Sequence, residues 1–228
     1  MLVQKFEYPN LSRKSVEGRR LYSTPTGHRV PSVTTILEAT KSEEKKAALQ
    51  NWRKNVGVVK AKQITEEAAN HGTSMHKKLE QYMKGELKPP GTNPIQQVTH
   101  KMAELVIAKG LVNVSEAWGL EAALYYEGLY AGTTDCCGIW KGNESIIDFK
   151  QSNKIKKEAW IEDYYVQLAA YALAHNRMFD TKIKTGVVMM CVRSEPPQYL
   201  EFDLTGAKFA KYETMWWDKV EQYYRANG

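Results

Sequence analysis

The sequence predicts an α/β protein, with a helical N-terminal half and a mixed-sheet core running β-β-β-α-β-β-α. Apolar residues recur at spacings of three and four between residues 58 and 109, the period of a helix with one buried stripe. From 111 to 151 the chain becomes β-prone and is punctuated by Gly128, Gly132 and Gly142. Beyond 157 helical and strand-like stretches alternate, the pattern of helices laid on a sheet. With 228 residues the chain can bury a substantial core. The expected division is a helical region over 1–110 and a sheet core over 111–228, integrated as one domain.

Residues 1–30 carry Pro9, Gly18, Pro25 and Gly27 and read as an irregular or short-stranded lead-in. Ser32 is an N-cap for a helix to about residue 39, and Ser42 caps another over 42–55 with Glu43 and Glu44 in its first turn, where the helix dipole favours acids. A long helix is expected over 58–84, with Ile64, Ala68, Gly72, Met75, Leu79 and Met83 on one stripe. The next, over 93–109, turns Val98, Met102, Leu105 and Val106 inward and stops at Gly110. Strands follow over 114–126, 129–140 and 144–150, then a helix over 157–177 with Trp160, Tyr164, Leu168, Tyr171 and His175 in its stripe. Strands over 185–193 and 198–204 and an aromatic-rich helix over 206–225 complete the chain.

Hydrophobic residues make up 43% and charged residues 25%, ordinary for a globular domain. No apolar run is long enough to span a bilayer. The start, MLVQKFEYPN, resembles neither a signal nor a transit peptide. The expected location is therefore cytoplasmic (bacterial or phage-infected host), or organellar if a leader has been removed. A net charge of +6 leans toward a polyanionic partner, and KQSNKIKK at 150–157 concentrates four lysines in eight residues. Such a run is by itself an ordinary solvated loop. Of the three cysteines, Cys136 and Cys137 are adjacent and would point to opposite faces of a strand. All three, Cys191 included, read as small buried hydrophobes.

The stretch ESIIDFKQS at 144–152 places Asp148 and Lys150 on one face of a strand otherwise built for burial. Gly142-Asn143 before it is a tight-turn signal. With those two residues as the loop, Trp140 faces Ser145, Cys137 faces Asp148 and Asp135 faces Lys150. Asp135, Asp148 and Lys150 then share one face, with the two carboxylates as diagonal neighbours roughly 7–8 Å apart at the backbone. That spacing lets both reach one hard cation. A one-residue slip would separate them. Taken alone, the three residues fit equally an exposed cross-strand ion pair of little energetic value. Gln167 and Tyr171, four apart, share a helix face, and His76 borders the stripe of the long helix, where most histidines are structural.

Taken in order, G-T-S-M-H at 72–76, G-T-T-D at 132–135, I-I-D-F-K at 146–150 and Q-L-A-A-Y at 167–171 resemble the RecB-like branch of the PD-(D/E)XK nuclease superfamily. P-S-V-T-T-I-L at 31–37, the Trp52 helix and G-L-E-A-A-L at 119–124 look like the subfamily of mitochondrial genome maintenance exonucleases and their phage and bacterial relatives. The likeness covers residues from about 30 to 176. It implies a restriction-endonuclease-like core, roofed by the helical N-terminal half. It also implies Asp135, Asp148 and Lys150 as catalytic residues, and a metal shell of His76, Asp135, Asp148, the Phe149 carbonyl and Glu121. Gln167 and Tyr171 correspond to the family's Q-x-x-x-Y pair, contacting DNA and bracing the site. Thr134 stands where many relatives have proline, and Asp148 where many have Glu.

The implied activity is Mg²⁺- or Mn²⁺-dependent hydrolysis of DNA phosphodiesters by an exonuclease that prefers single strands with a free end. A metal ion supplies an activated water and charge compensation, and a lysine adds charge aimed at the transition state. Lys154, Lys156, Lys157, Trp160 and Tyr164 are the expected DNA-binding residues, since stacking aromatics and a basic groove hold single strands. Trp118, Tyr125, Tyr126, Tyr130 and Tyr165 belong to the same aromatic group, several of them as core. Three cysteines fall short of the four that hold an iron–sulfur cluster in some relatives, so none is expected. With no helicase motif, any unwinding falls to a replication or recombination partner. The competing readings are a structure-specific endonuclease or resolvase on the same core, and a catalytically silent DNA-binding subunit.

Overall fold

The computed structural model describes residues 2–16 and 18–227. The lead-in forms a small antiparallel sheet of β1 (Ser12–Val16), β2 (Arg19–Ser23) and β3 (Arg29–Pro31), in that order. Its Leu11, Tyr22 and Val30 close on Ala131 of the main sheet. Helices α1 (Val33–Ala39) and α2 (Glu43–Val56) start at Ser32 and Ser42, whose hydroxyls accept from the N–H groups of Thr35 and Lys45. Each satisfies a donor that the first helical turn leaves free. Helix α3 spans Val58–Met83, and α4 spans Pro94–Lys109 behind an Asn93 cap.

The main sheet has the order β4 (Val114–Tyr126), β5 (Tyr130–Trp140), β6 (Asn143–Ser152), β7 (Thr185–Val192) and β8 (Gln198–Leu204). Neighbours are antiparallel except β6 and β7. A parallel pair needs a crossover, supplied by α5 (Glu162–Phe179); α6 (Gly206–Asn227) closes the chain. Alternation along the strands makes two cores. Cys137, Ile146, Val188 and Met190 pack with α5 and α6 on one face, and Cys136, Ile147, Phe149 and Met189 pack with α3 and α4 on the other. Adjacent Cys136 and Cys137 thus do face opposite ways, and Cys191 is buried as well. This is the expected α/β class, a mixed sheet flanked by helices.

Several boundaries differ from expectation. The α5 helix begins at Glu162, because Glu158–Trp160 forms a separate 3-10 turn. Trp160, expected in the buried stripe, is 62% exposed. In α3 the stripe is fully buried only at Met75, Leu79 and Met83, while Ile64 and Ala68 are half-buried. That half of the helix runs alongside α2, which buries no residue. Val98 lies exposed rather than inward, and Leu105 is half-buried.

Candidate functional site

The β5–β6 hairpin turns on Lys141 and Gly142, with φ of 47° and 79°, the two positive values that a tight primed turn requires. Trp140 therefore pairs with Asn143, and Cys136 with Ile147. This corrects the expected register by two residues. Gly142 can take either position of the loop, and Lys141 pays the left-handed cost while the Asn143 amide bonds the Lys141 carbonyl at 3.1 Å. Because the shift is even, faces are conserved. Asp135, Asp148 and Lys150 still share one, but continuing the register sets Asp135 across from Asp148 rather than Lys150.

Regular pairing stops there. The β5–β6 ladder ends at Cys136–Ile147, and the Phe149 N–H, whose next partner would be a β5 carbonyl, donates to Asp135 Oδ2 at 2.7 Å. In an extended strand a residue's N–H and C=O leave on the same side, so the Phe149 carbonyl faces the same gap. On the other flank, β4 pairs through Leu120–Cys136 and Ala122–Thr134, skipping Glu121–Asp135. Glu121 has φ 47°, a left-handed conformation in mid-strand. Such strain in a non-glycine residue persists only where its surroundings enforce it. Glu121, Asp135 and Asp148 thus form one row across three strands, at the place where the sheet opens.

His76 enters this gap from α3. Its Nδ1 lies 3.2 Å from Asp135 Oδ1, and its ring meets Phe149 edge-on at 6.0 Å. Each of His76, Glu121 and Asp135 offers one donor atom within 4.8 Å of the others, a group that could hold a metal ion. Asp148 stands beside it, 3% exposed. Lys150 Nζ donates to Asp148 Oδ1 at 2.6 Å; Oδ2, 2.5 Å from the same nitrogen, has no well-directed hydrogen bond. A buried carboxylate oxygen without a directed donor, beside an imidazole and two further carboxylates, fits a cation.

The titrations follow from crowding. Burial raises the Asp148 carboxyl from 3.8 to about 6 against the attraction of Lys150, and repulsion from Asp135 adds to the rise. Burial also opposes ionisation of Asp135, yet His76, Lys150 and the Phe149 N–H together hold that carboxyl below its ordinary value. His76 is pulled down by burial and more than restored by Asp135, ending raised. Lys150, penalised by burial but facing both carboxylates, is raised. Partial desolvation and Asp135 raise Glu121 even though solvent reaches it. Two acids on one face whose affinities for protons diverge are a mark of a working site.

On α5, Gln167 Nε2 donates to Tyr171 OH at 3.2 Å. Tyr171 is buried against Gly132, where a Cβ would come within 2.7 Å of its ring. Lys150 Nζ sits 5.0 Å from the Tyr164 ring centroid. Lys154, Lys156, Lys157 and Trp160 line the β6–α5 connection, with Lys157 Nζ 5.7 Å from the Trp160 ring centroid. No hydrogen bond or ion pair joins these four to the carboxylate row among the described residues. Trp118, Tyr130 and Tyr165 are core. Gln151 went unnoticed in the sequence: its amide reaches the Ala68 carbonyl at 3.3 Å and Arg193 bonds Glu67 at 2.8 Å. Both tie α3, which carries His76, to the sheet. The signal was present in parity, since Gln151 must face away from Lys150 and toward α3.

No family model matches the chain. Over 210 residues it is 26% identical to mitochondrial genome maintenance exonuclease 1 of Mus musculus, covering 85% of this chain and 59% of that protein. The Homo sapiens protein of the same name is 25% identical over 206 residues, with 85% and 58% covered. The chain thus spans under three fifths of the length of the curated relatives it matches. A solved structure of a suspected exonuclease from Eubacterium rectale superposes with a TM-score of 0.49 over 67% of this chain and 64% of that one, at 13% identity. That last likeness is too slight to argue from. The resemblance to nucleases read from the short motifs extends over most of the chain.

Proposed function

We propose that this chain is a divalent-metal-dependent DNA exonuclease that hydrolyses phosphodiester bonds and prefers single strands with a free end. The observation that carries this reading is the convergence of His76, Glu121 and Asp135 within 4.8 Å beside the Asp148–Lys150 pair. The matched relatives are exonucleases by name. A set of three carboxylates, one imidazole and a main-chain carbonyl suits Mg²⁺ or Mn²⁺. When bound, such an ion supplies an activated water and charge compensation at the phosphate. In this reading Asp135 and Asp148 fix the acidic cradle, and Glu121 and His76 complete it from β4 and α3. The Lys150 ammonium, held by Asp148, points its charge at the phosphate and orients the attacking water. Gln167 and Tyr171 brace the wall opposite, and Lys154, Lys156, Lys157, Trp160 and Tyr164 hold the strand. The arch of α2 and α3 roofs the site. Among the described residues no helix is long and apolar enough to cross a membrane.

End-labelled linear and circular single-stranded DNA, incubated with the protein and Mg²⁺ or Mn²⁺, test the reading. Linear strands shorten from an end and circles survive. Cut circles establish an endonuclease instead, and no cleavage of either by folded protein leaves a DNA-binding subunit.

Stability should reveal the site without substrate. Asp148 and His76 both bind protons more tightly folded than unfolded, so each contributes stability at low pH that is lost as pH rises through its folded value. Asp135 acts with the opposite sign, but below its ordinary 3.8. Mg²⁺ or Mn²⁺, which competes with those protons for the row, therefore raises Tm more at pH about 8 than at about 5.5. Scanning calorimetry at both pH values checks this, and a Tm indifferent to either ion would leave the cradle without a cation.

His76→Ala should raise the half-maximal Mn²⁺ concentration for cleavage by roughly 10- to 100-fold, the range for disturbed metal surroundings. The unfolding midpoint should move little, because His76 is only half-buried. A large loss of Tm with an unchanged metal requirement would make His76 a structural histidine.

A further inference from the structure

Beside the carboxylate row, between α1 and the start of α5, lies a cavity of about 190 Å³ lined by Thr34, Leu37, Lys41, Tyr164 and Gln167, with Glu38 and Asp163 at its rim. Two of its walls belong to the site: the Tyr164 ring is the one that Lys150 Nζ approaches at 5.0 Å, and Gln167 is the residue bonded to Tyr171. A single aromatic ring therefore separates the cavity from the lysine of the Asp148 pair.

The charges at its rim are already matched. Lys41 Nζ pairs with Glu38 at 2.5 Å, and Asp163 receives Lys45 at 2.9 Å. A phosphate entering here would find no uncommitted cation among these residues and two carboxylates to repel it. An uncharged planar group meets better terms: the Tyr164 ring and Leu37 give it aromatic and apolar walls, while the Thr34 hydroxyl and Gln167 amide can address polar edges. The volume suits one ring system.

We infer that this cavity is a nucleobase pocket, taking the base of one nucleotide next to the scissile phosphate while its backbone remains in the acidic row. The inference rests on the nuclease reading and adds a point of grip that measures distance from the strand end. The pocket holds a base by stacking on Tyr164 and by shape, without reading all of its edges, so it accepts every base and rejects an abasic site.

The test walks one abasic residue along an end-labelled single strand and measures kcat and KM with Mn²⁺ at each position. For the unaltered protein one position should raise KM about tenfold, within the range of one lost stacking contact, with kcat within about twofold. Leu37→Trp and, from the opposite end of α1, Thr34→Trp fill the cavity with an indole. Each should raise KM about tenfold on intact strands and abolish the further penalty of the abasic residue. Thr34 is exposed, so its variant decides the matter if Leu37→Trp does not fold. Equal KM at every abasic position, or a folded filled variant that keeps the KM and the abasic penalty of the unaltered protein, overturns the pocket while leaving the nuclease intact. Failure of the unaltered protein to cleave any strand overturns both.

Discussion

Asp148→Asn and Lys150→Ala each lower cleavage by on the order of 10³-fold or more, with opposite effects on stability. Both remove charge that matters most at the phosphate, where a single preorganised donor is worth about 10²–10³ and a metal ligand adds to that. The folded protein ionises Asp148 only at a cost, since burial and Asp135 raise its carboxyl to about 6 from 3.8. Above that pH the ionised group subtracts stability. Asparagine removes the cost and retains an oxygen for Lys150 Nζ, which donates to Oδ1 at 2.6 Å. Metal-free Asp148→Asn therefore melts at the wild-type temperature or above it at pH about 8, the usual exchange of activity for stability. Lys150→Ala does the reverse. It leaves a carboxylate that is 3% exposed facing Asp135 with no cation beside it, and an uncompensated buried charge is strongly destabilising. Its Tm falls at pH about 8 and recovers toward pH about 5.5, where Asp148 takes a proton. Single-turnover cleavage and calorimetry on both variants check the pair. A variant that cleaves at the wild-type rate is removed from the mechanism, and equal Tm shifts would contradict the account of Asp148.

Much of this was legible because period and turn chemistry report faces more robustly than neighbours. The helix stripe at Met75, Leu79 and Met83, the caps at Ser32 and Ser42 and the succession of strands and helices along the chain follow from local rules that tertiary packing reinforces. Asp135, Asp148 and Lys150 were placed on one face through a register wrong by two residues, and parity forgave the error. What parity could not supply was the identity of the neighbour. That depended on Lys141 rather than Asn143 adopting a left-handed conformation, and a charged residue in that role gives no local signal. The strain at Glu121 was hidden for the same reason. Nothing in G-L-E-A-A-L announces a φ of 47°, because it is imposed by strands diverging around Asp135 and not by the residue itself. Trp160 and the delayed start of α5 were misjudged where a helical pattern continued into a 3-10 turn, since one turn of either helix presents apolar residues at similar spacing. Spacing put Gln167 and Tyr171 on one helix face and the family resemblance made them a pair; their mutual bond fits a spacing of four.

The last expectation separates Asp135 as a brace from Asp135 as a ligand. Its carboxylate accepts the Phe149 N–H at 2.7 Å and faces His76 Nδ1 at 3.2 Å, so one side chain closes the gap that the parting strands leave. Asp135→Ala strands the Phe149 N–H at a buried residue, a loss of about 1–3 kcal/mol, and also takes the partner of His76. It relieves repulsion with Asp148 and Glu121, but that gain is smaller, because Glu121 is solvent-exposed and Lys150 already offsets Asp148. The brace wins. Tm should drop by several degrees, since 1 kcal/mol moves a chain of this size by about 2–4 °C. Asp135→Asn keeps an oxygen for the Phe149 N–H and loses only the charge, so it melts close to the wild type. Its effect falls on His76. Asp135 is what lifts that imidazole against burial, and without the carboxylate burial prevails and the ring gives up its proton at lower pH. Proton NMR of the His76 ring should therefore titrate lower in Asp135→Asn than in the wild type, and both variants should lose cleavage and the stabilisation by Mg²⁺ or Mn²⁺. If alanine and asparagine melt alike, the carboxylate does not hold the strand. If His76 titrates unchanged in Asp135→Asn, the histidine and the acid are neighbours without being partners, and the cradle loses its link between α3 and the carboxylate row.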